Sequence, residues 1–146
     1  MLNIENRTTL QFDPTLLEKI STSLTKREID LSICYNPEIQ NYNALYRGKD
    51  KPTDVLSFPI EQEFINSELT HIPLGSIVIS ADYVIKLSNE LSHSCNEELS
   101  LLFIHGLLHL LGYDHEVDNG EMREREEKLI NKFNLPKSLI IRMEKH

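Results

Sequence analysis

His105 and His109 stand four residues apart, and His115 follows six residues later. On an α-helix a four-residue spacing stacks two side chains one turn apart on one face. Two imidazoles so placed can each give a nitrogen to one ion, at roughly 2.0–2.1 Å if the ion is zinc. Gly112, between the second and third histidines, lets the chain leave the helix and turn back, so that His115 can reach the same ion. With 6 histidines in 146 residues, chance fills both offsets with a probability of roughly one in a hundred. Three neutral imidazoles leave the ion its full charge and one open position, the design of a catalytic zinc site; closed structural sites take four protein ligands. Zinc brings a water in that position to a pKa near 7 and polarises phosphoryl or carbonyl oxygens, so hydrolysis is the reaction class. His71, His93 and His146 lack ligand spacing and are expected in loops or at the terminus.

The element that must position the first two histidines is a single helix. Ser94-Cys95-Asn96-Glu97 reads as a capping box, in which the serine hydroxyl and the glutamate side chain satisfy backbone donors at a helix start. Gly112 marks the far end, so Cys95 to Leu111 is expected to be one helix of roughly 25 Å at about 1.5 Å per residue. It is apolar nearly all round (Leu99, Leu101, Leu102, Phe103, Ile104, Leu107, Leu108, Leu110, Leu111), which makes it central and buried. Two buried histidines then need partners, because an unsatisfied buried polar group costs about 1–3 kcal/mol. Gly106 costs about 1 kcal/mol relative to alanine inside a helix, which implies close packing against its backbone.

Around that helix the pattern alternates between strand and helix. Glu28 to Tyr35 has the two-residue period of a half-buried strand, Asp54 to Phe58 is a shorter strand closed by Pro59, and Leu2 to Thr8 is a further candidate. Ile77-Val78-Ile79 is β-branched throughout and suits a strand buried on both faces. Pro14 to Leu24 opens with Asp13 as N-cap and proline at the first helical position, and Ala81 to Leu91 follows the capping residue Ser80. Pro37 to Tyr46 and Glu121 to Phe133 complete the helices. The expected fold class is α/β: a single compact domain spanning residues 1–146, a small mixed four-stranded sheet packed with about five helices, and the metal site at the end of the central buried helix.

Composition narrows the partners. A formal charge of −8 argues against a broadly basic nucleic-acid-binding surface, so RNA would have to use a local patch, of which Arg47-Gly48-Lys49-Asp50-Lys51 is the best candidate. Cys34 and Cys95 have no knuckle or redox spacing and read as reduced core or near-core residues. The first seven residues carry an early acid and no long apolar run, unlike a secretory signal. The densest apolar run, Leu99 to Leu111, falls short of the roughly 18 residues of a membrane span. A soluble protein is expected.

The string His105-Gly106-Leu107-Leu108-His109-Leu110-Leu111-Gly112-Tyr113-Asp114-His115 has the histidine and glycine spacing of the metzincin peptidases. Gly106 stands where those peptidases carry their general-base glutamate. Glu97 and Glu98 are about two helical turns away; Asp114 and Asp54 are the other carboxylates that could serve. The whole motif resembles the YbeY family of bacterial endoribonucleases and ribosomal RNA maturation factors, as do Tyr46-Arg47-Gly48-Lys49-Asp50-Lys51-Pro52-Thr53-Asp54-Val55-Leu56-Ser57-Phe58-Pro59 and Leu74-Gly75-Ser76-Ile77-Val78-Ile79-Ser80. The resemblance covers most of the chain. It implies one zinc ion on His105, His109 and His115, cleavage of single-stranded RNA in small-subunit ribosomal RNA processing and quality control, a cytoplasmic location and contact with small-subunit components, with no membrane or DNA partner. It also implies a catalytic role for Arg47 on RNA phosphate, for which a guanidinium is chemically suited. Ser76 departs from the acid usual in the family after Leu-Gly. A metallopeptidase, and a non-catalytic assembly factor in which the metal only braces the fold, are the competing readings.

Overall fold

The computed structural model describes residues 1–60, 72–114 and 117–136. Four strands, β1 (Leu2–Asn6), β2 (Ile29–Cys34), β3 (Val55–Pro59) and β4 (Gly75–Ser80), form one mixed sheet in the order β1-β2-β4-β3. β1, β2 and β4 run parallel, and β3 is antiparallel to β4. Five helices are described: α1 (Pro14–Leu24), α2 (Asn36–Arg47), α3 (Ala81–Leu91), α4 (Cys95–Leu110) and α5 (Glu121–Lys132).

The local signals explain these boundaries. The Asp13 side chain accepts the Thr15 N–H and starts α1 at Pro14. The Ser80 hydroxyl accepts the Tyr83 N–H at 3.3 Å and starts α3 directly where β4 ends. At Ser94 both halves of the capping box form: the Ser94 N–H donates to Glu97 at 2.7 Å, and the Glu97 N–H donates to the Ser94 hydroxyl at 3.1 Å. Pro59 closes its strand as expected. It is the last residue of β3, opposite Gly75, and an edge strand tolerates a residue that lacks an N–H.

Alternation along the strands sorts the helices between the two faces of the sheet. Ile29, Leu31, Ile33, Ile77 and Ile79 point to the larger core, shared with residues of α1, α3, α4 and α5. Cys34, Leu56 and Val78 point the other way, with Phe58, and are covered by Ile39 and Tyr42 of α2. β4 lies inside the sheet and buries side chains on both faces, as its β-branched run requires. Burial holds the Cys34 thiol well above its ordinary pKa, at about 11, which keeps it protonated and inert.

α4 is the element on which the larger core is assembled. From Glu98 to Leu110 every residue is buried except His109, and the helix packs on β3, β4, α1, α3 and α5. It lies close against the sheet at Gly106. A Cβ there would lie 3.0 Å from Ile77 Cγ2, 3.1 Å from Ser57 Oγ and 3.2 Å from Val55 Cγ2. The Ser57 hydroxyl also donates to the Gly106 carbonyl at 2.8 Å, fastening helix to sheet at the same point.

Two opposed effects meet in Gly106→Ala. Alanine gains about 1 kcal/mol of helix propensity, whereas overpacking a filled core costs roughly 1–3 kcal/mol. Three contacts at once leave the neighbours little room to give, so the variant is expected to lose net stability. A urea unfolding midpoint equal to or above wild type would show that the sheet yields.

Candidate metal centre

His105 and His109 occupy the last two turns of α4 on the face turned towards α5. Their Nε2 atoms are 3.1 Å apart, and the rings meet edge to face with centroids 4.6 Å apart. Two zinc–nitrogen bonds of roughly 2.0–2.1 Å at a tetrahedral angle put their nitrogens about 3.3 Å apart. The pair is therefore spaced as two ligands of one ion would be, with no rearrangement of the helix. His105 is 8% exposed and His109 is half-buried, so His109 is the more accessible of the two.

A residue that sequence reasoning missed holds the inner histidine. Glu126 of α5, itself buried, places Oε1 3.4 Å from His105 Nδ1. A proton on Nδ1 facing that carboxylate leaves the lone pair on Nε2, the atom aimed at His109. This is the carboxylate–histidine arrangement that fixes the tautomer and ring orientation of metal-binding imidazoles. The signal was present in the sequence, since Glu126 is four residues after Met122 and three before Leu129 on the apolar stripe of α5, where only a paired acid is expected. The C-terminal end of α4 adds its partial negative charge close to the same point and favours a cation there.

Beyond Leu110 the chain closes α4 with a complete Schellman turn. Gly112, at φ +99°, donates its N–H to the His109 carbonyl at 3.0 Å, and Tyr113 donates to the Leu108 carbonyl at 3.0 Å. Tyr113 packs on the core, which fixes the direction in which the chain departs. The Asp114 carbonyl then accepts the N–H groups of Val117 and Asp118. His115 lies outside the described residues, as do His71 and His146. Among the described residues no group of three or more histidine, cysteine or acidic side chains could hold a metal, so His105 and His109 form a pair there.

Arg47 is on other ground. It is the last residue of α2, exposed, and α2 covers the sheet face opposite α4. Asp54 immediately precedes β3, its Oδ1 accepting the Val55 N–H at 2.8 Å and its carbonyl accepting the Ser80 N–H. Ser76 sits on the same sheet face as Asp30, its register partner. Position 106, where a peptidase would carry its base, faces Ile77, Ser57 and Val55 of the sheet, so a glutamate there would run into the core.

His93 lies in the turn between α3 and α4, as its lack of spacing suggested, but its ring is buried. Its Nε2 is 3.4 Å from Glu98 Oε2, with side chains 4% and 0% exposed. This pair ties the α3–α4 turn to the first turn of α4, away from the His105–His109 end. His93→Ala should lower unfolding free energy by roughly 1–3 kcal/mol, because Glu98 keeps its burial and loses a partner. Equal urea midpoints for variant and wild type would remove that role.

Comparison with known proteins identifies the family. The family model described as Endoribonuclease YbeY matches residues 4–134. The chain is 56% identical over 142 residues to the Endoribonuclease YbeY of Sulfurovum sp. (strain NBC37-1), covering 97% of each protein. It is 53% identical over 126 residues to that of Campylobacter jejuni (strain RM1221), covering 86% of this chain and 90% of the relative. Among solved structures it is similar to TM1509 from Thermotoga maritima, determined in solution, with a TM-score of 0.60 and 28% identity over 91% of this chain and 89% of that one.

Proposed function

The chain belongs to the YbeY family of endoribonucleases, and on that premise we propose that it cuts single-stranded RNA with one divalent ion, zinc, held by His105, His109 and His115. The observation that carries the metal is the convergence of the two Nε2 atoms at 3.1 Å with Glu126 behind His105. His115 is the third ligand in this reading, three residues beyond Gly112 of the Schellman turn that redirects the chain. We read residues 1–146 as one hydrolase domain that acts in small-subunit ribosomal RNA maturation and ribosome quality control. Its partners are ribosomal RNA and small-subunit components, and its place is the cytoplasm; no described helix is long and apolar enough to cross a membrane.

When bound, the ion would supply Lewis acidity at the phosphodiester and an acidified water. The chain's own residues do the rest. Glu126 holds His105 in the tautomer that presents a lone pair at Nε2, and the buried wall of α4 keeps the pair on a rigid element. Arg47 binds RNA phosphate through paired guanidinium donors. Gly106 supplies no carboxylate and its position faces the sheet, which disfavours the peptidase reading.

Purified protein should cleave a single-stranded RNA, and chelation or His109→Ala should reduce the rate by at least about 100-fold, as for loss of a group needed in the transition state. Cleavage unchanged by both treatments would sink the proposal. An RNA left intact by wild type, together with a fall in melting temperature on metal removal, would instead favour the non-catalytic assembly factor. Glu126→Gln should weaken zinc affinity about 10- to 100-fold in competition with a chromogenic chelator. An unchanged affinity would remove Glu126 from the centre.

A further inference from the structure

At the C-terminal end of α2 one aromatic ring, that of Tyr46, stands outside the core. Tyr42 and Tyr46, one turn apart, lie with ring centroids 6.4 Å apart and planes within 18°. Phe58 of β3 meets Tyr46 edge-on at 5.3 Å. Tyr46 is nevertheless 63% exposed, and Leu45 beside it 74%. The Tyr46 ring is thus braced by two aromatic neighbours and open to solvent over most of its surface, a costly arrangement for a side chain with no partner.

Next to it the chain presents positive charge on a built loop. Asn43, buried in α2, donates from Nδ2 to the Lys51 carbonyl at 2.9 Å, and its own carbonyl accepts the Lys49 N–H at 3.2 Å. Gln40 Nε2 donates to the Asp50 carboxylate at 3.0 Å, drawing the loop's acid towards the helix. Arg47, Lys49 and Lys51 have no ion pair among the described residues. On a chain of net charge −8 this is a local cationic surface, and it adjoins a bare aromatic ring.

Resting on the endoribonuclease reading above, we infer that Tyr46, braced by Tyr42 and Phe58, is a stacking platform for an unpaired base of the RNA, with Arg47, Lys49 and Lys51 on the flanking phosphates. Every base has a π-face, so such a platform tolerates any sequence, but a base inside a duplex is already stacked and cannot offer it. The topology adds a second filter. The platform and the histidine pair lie on opposite faces of the sheet, and among the described residues β3 is the outermost strand on that side: Phe58 faces the platform, while Ser57 and Val55 face α4. RNA seated on Tyr46 reaches the histidines by bending round β3. A single strand makes that bend and a stiff duplex does not. Charge complementarity favours RNA over an apolar protein partner, for which the three cations would be a hindrance.

The test is fluorescence anisotropy of a labelled, non-cleavable 2′-O-methyl single-stranded octanucleotide, with cleavage of ordinary RNA measured alongside. Tyr46→Ala and Tyr46→Leu should each weaken binding about 5- to 150-fold, the range for loss of one stacked base. Tyr46→Trp should stay within about threefold of wild type or bind more tightly. Lys49→Gln should weaken binding and flatten its salt dependence. Equal affinities for wild type, Tyr46→Ala and Tyr46→Leu in a protein that still cleaves RNA overturn the platform alone and leave the surface to a protein partner. Full affinity in Tyr46→Leu with loss in Tyr46→Ala also overturns it, since apolar contact rather than stacking would then be at work. A wild-type protein that neither binds nor cleaves single-stranded RNA removes both the platform and the reading beneath it. Tyr46 is mostly exposed, so these variants should keep the wild-type circular dichroism.

Discussion

The contact between α4 and the sheet at Gly106 is the constraint on which the rest of the structure depends. A helix that is apolar on nearly every side has no solvent face to orient it, so hydrophobic burial alone leaves its rotation about its own axis poorly determined. One position without a side chain, pressed against Val55, Ser57 and Ile77 and fastened by the Ser57 hydroxyl, removes that freedom. Once position 106 faces the sheet, position 105 is turned towards α5 and Glu126, and position 109 comes one turn later on the same face. The glycine that deprives the motif of a peptidase's base is the same residue that sets the rotation of the two histidines.

That double role explains why so much of the site was legible in the sequence. The His105–His109 spacing, the capping box at Ser94 and the turn at Gly112 are local signals, each settled within a few residues by helix geometry. α1 and α3 begin and end where their caps place them for the same reason. The two strand-face assignments also come from alternation, because a one-residue slip would turn Ile29, Leu31 and Ile33 out of the larger core.

The parts that were not legible depend on contacts between distant segments. Glu126 could be seen as an acid on an apolar stripe, but its partner 21 residues earlier depends on how α5 crosses α4. The burial of His93 against Glu98 was hidden because spacing describes ligands and not ring burial. The bracing of Tyr46 by Phe58 requires α2 and β3 to meet across the sheet edge, which the intervening polar run Gly48 to Asp54 gave no means to judge.

The order β1-β2-β4-β3 also bears on how the chain is made. Vectorial synthesis delivers β3 before β4, yet β4 is the strand β3 pairs with, as well as the link that joins it to the parallel strands. Until Gly75–Ser80 has emerged, Val55–Pro59 has no sheet to join, and only the β1-α1-β2 portion can pair. Domains tend to fold as units during translation, so here a nascent chain carries Leu56 and Phe58 uncovered for the time needed to add the residues up to Ser80. α2 can coil locally in that interval, but its apolar face, Ile39 and Tyr42, acquires its full covering only when β4 enters the sheet and the two faces are defined together.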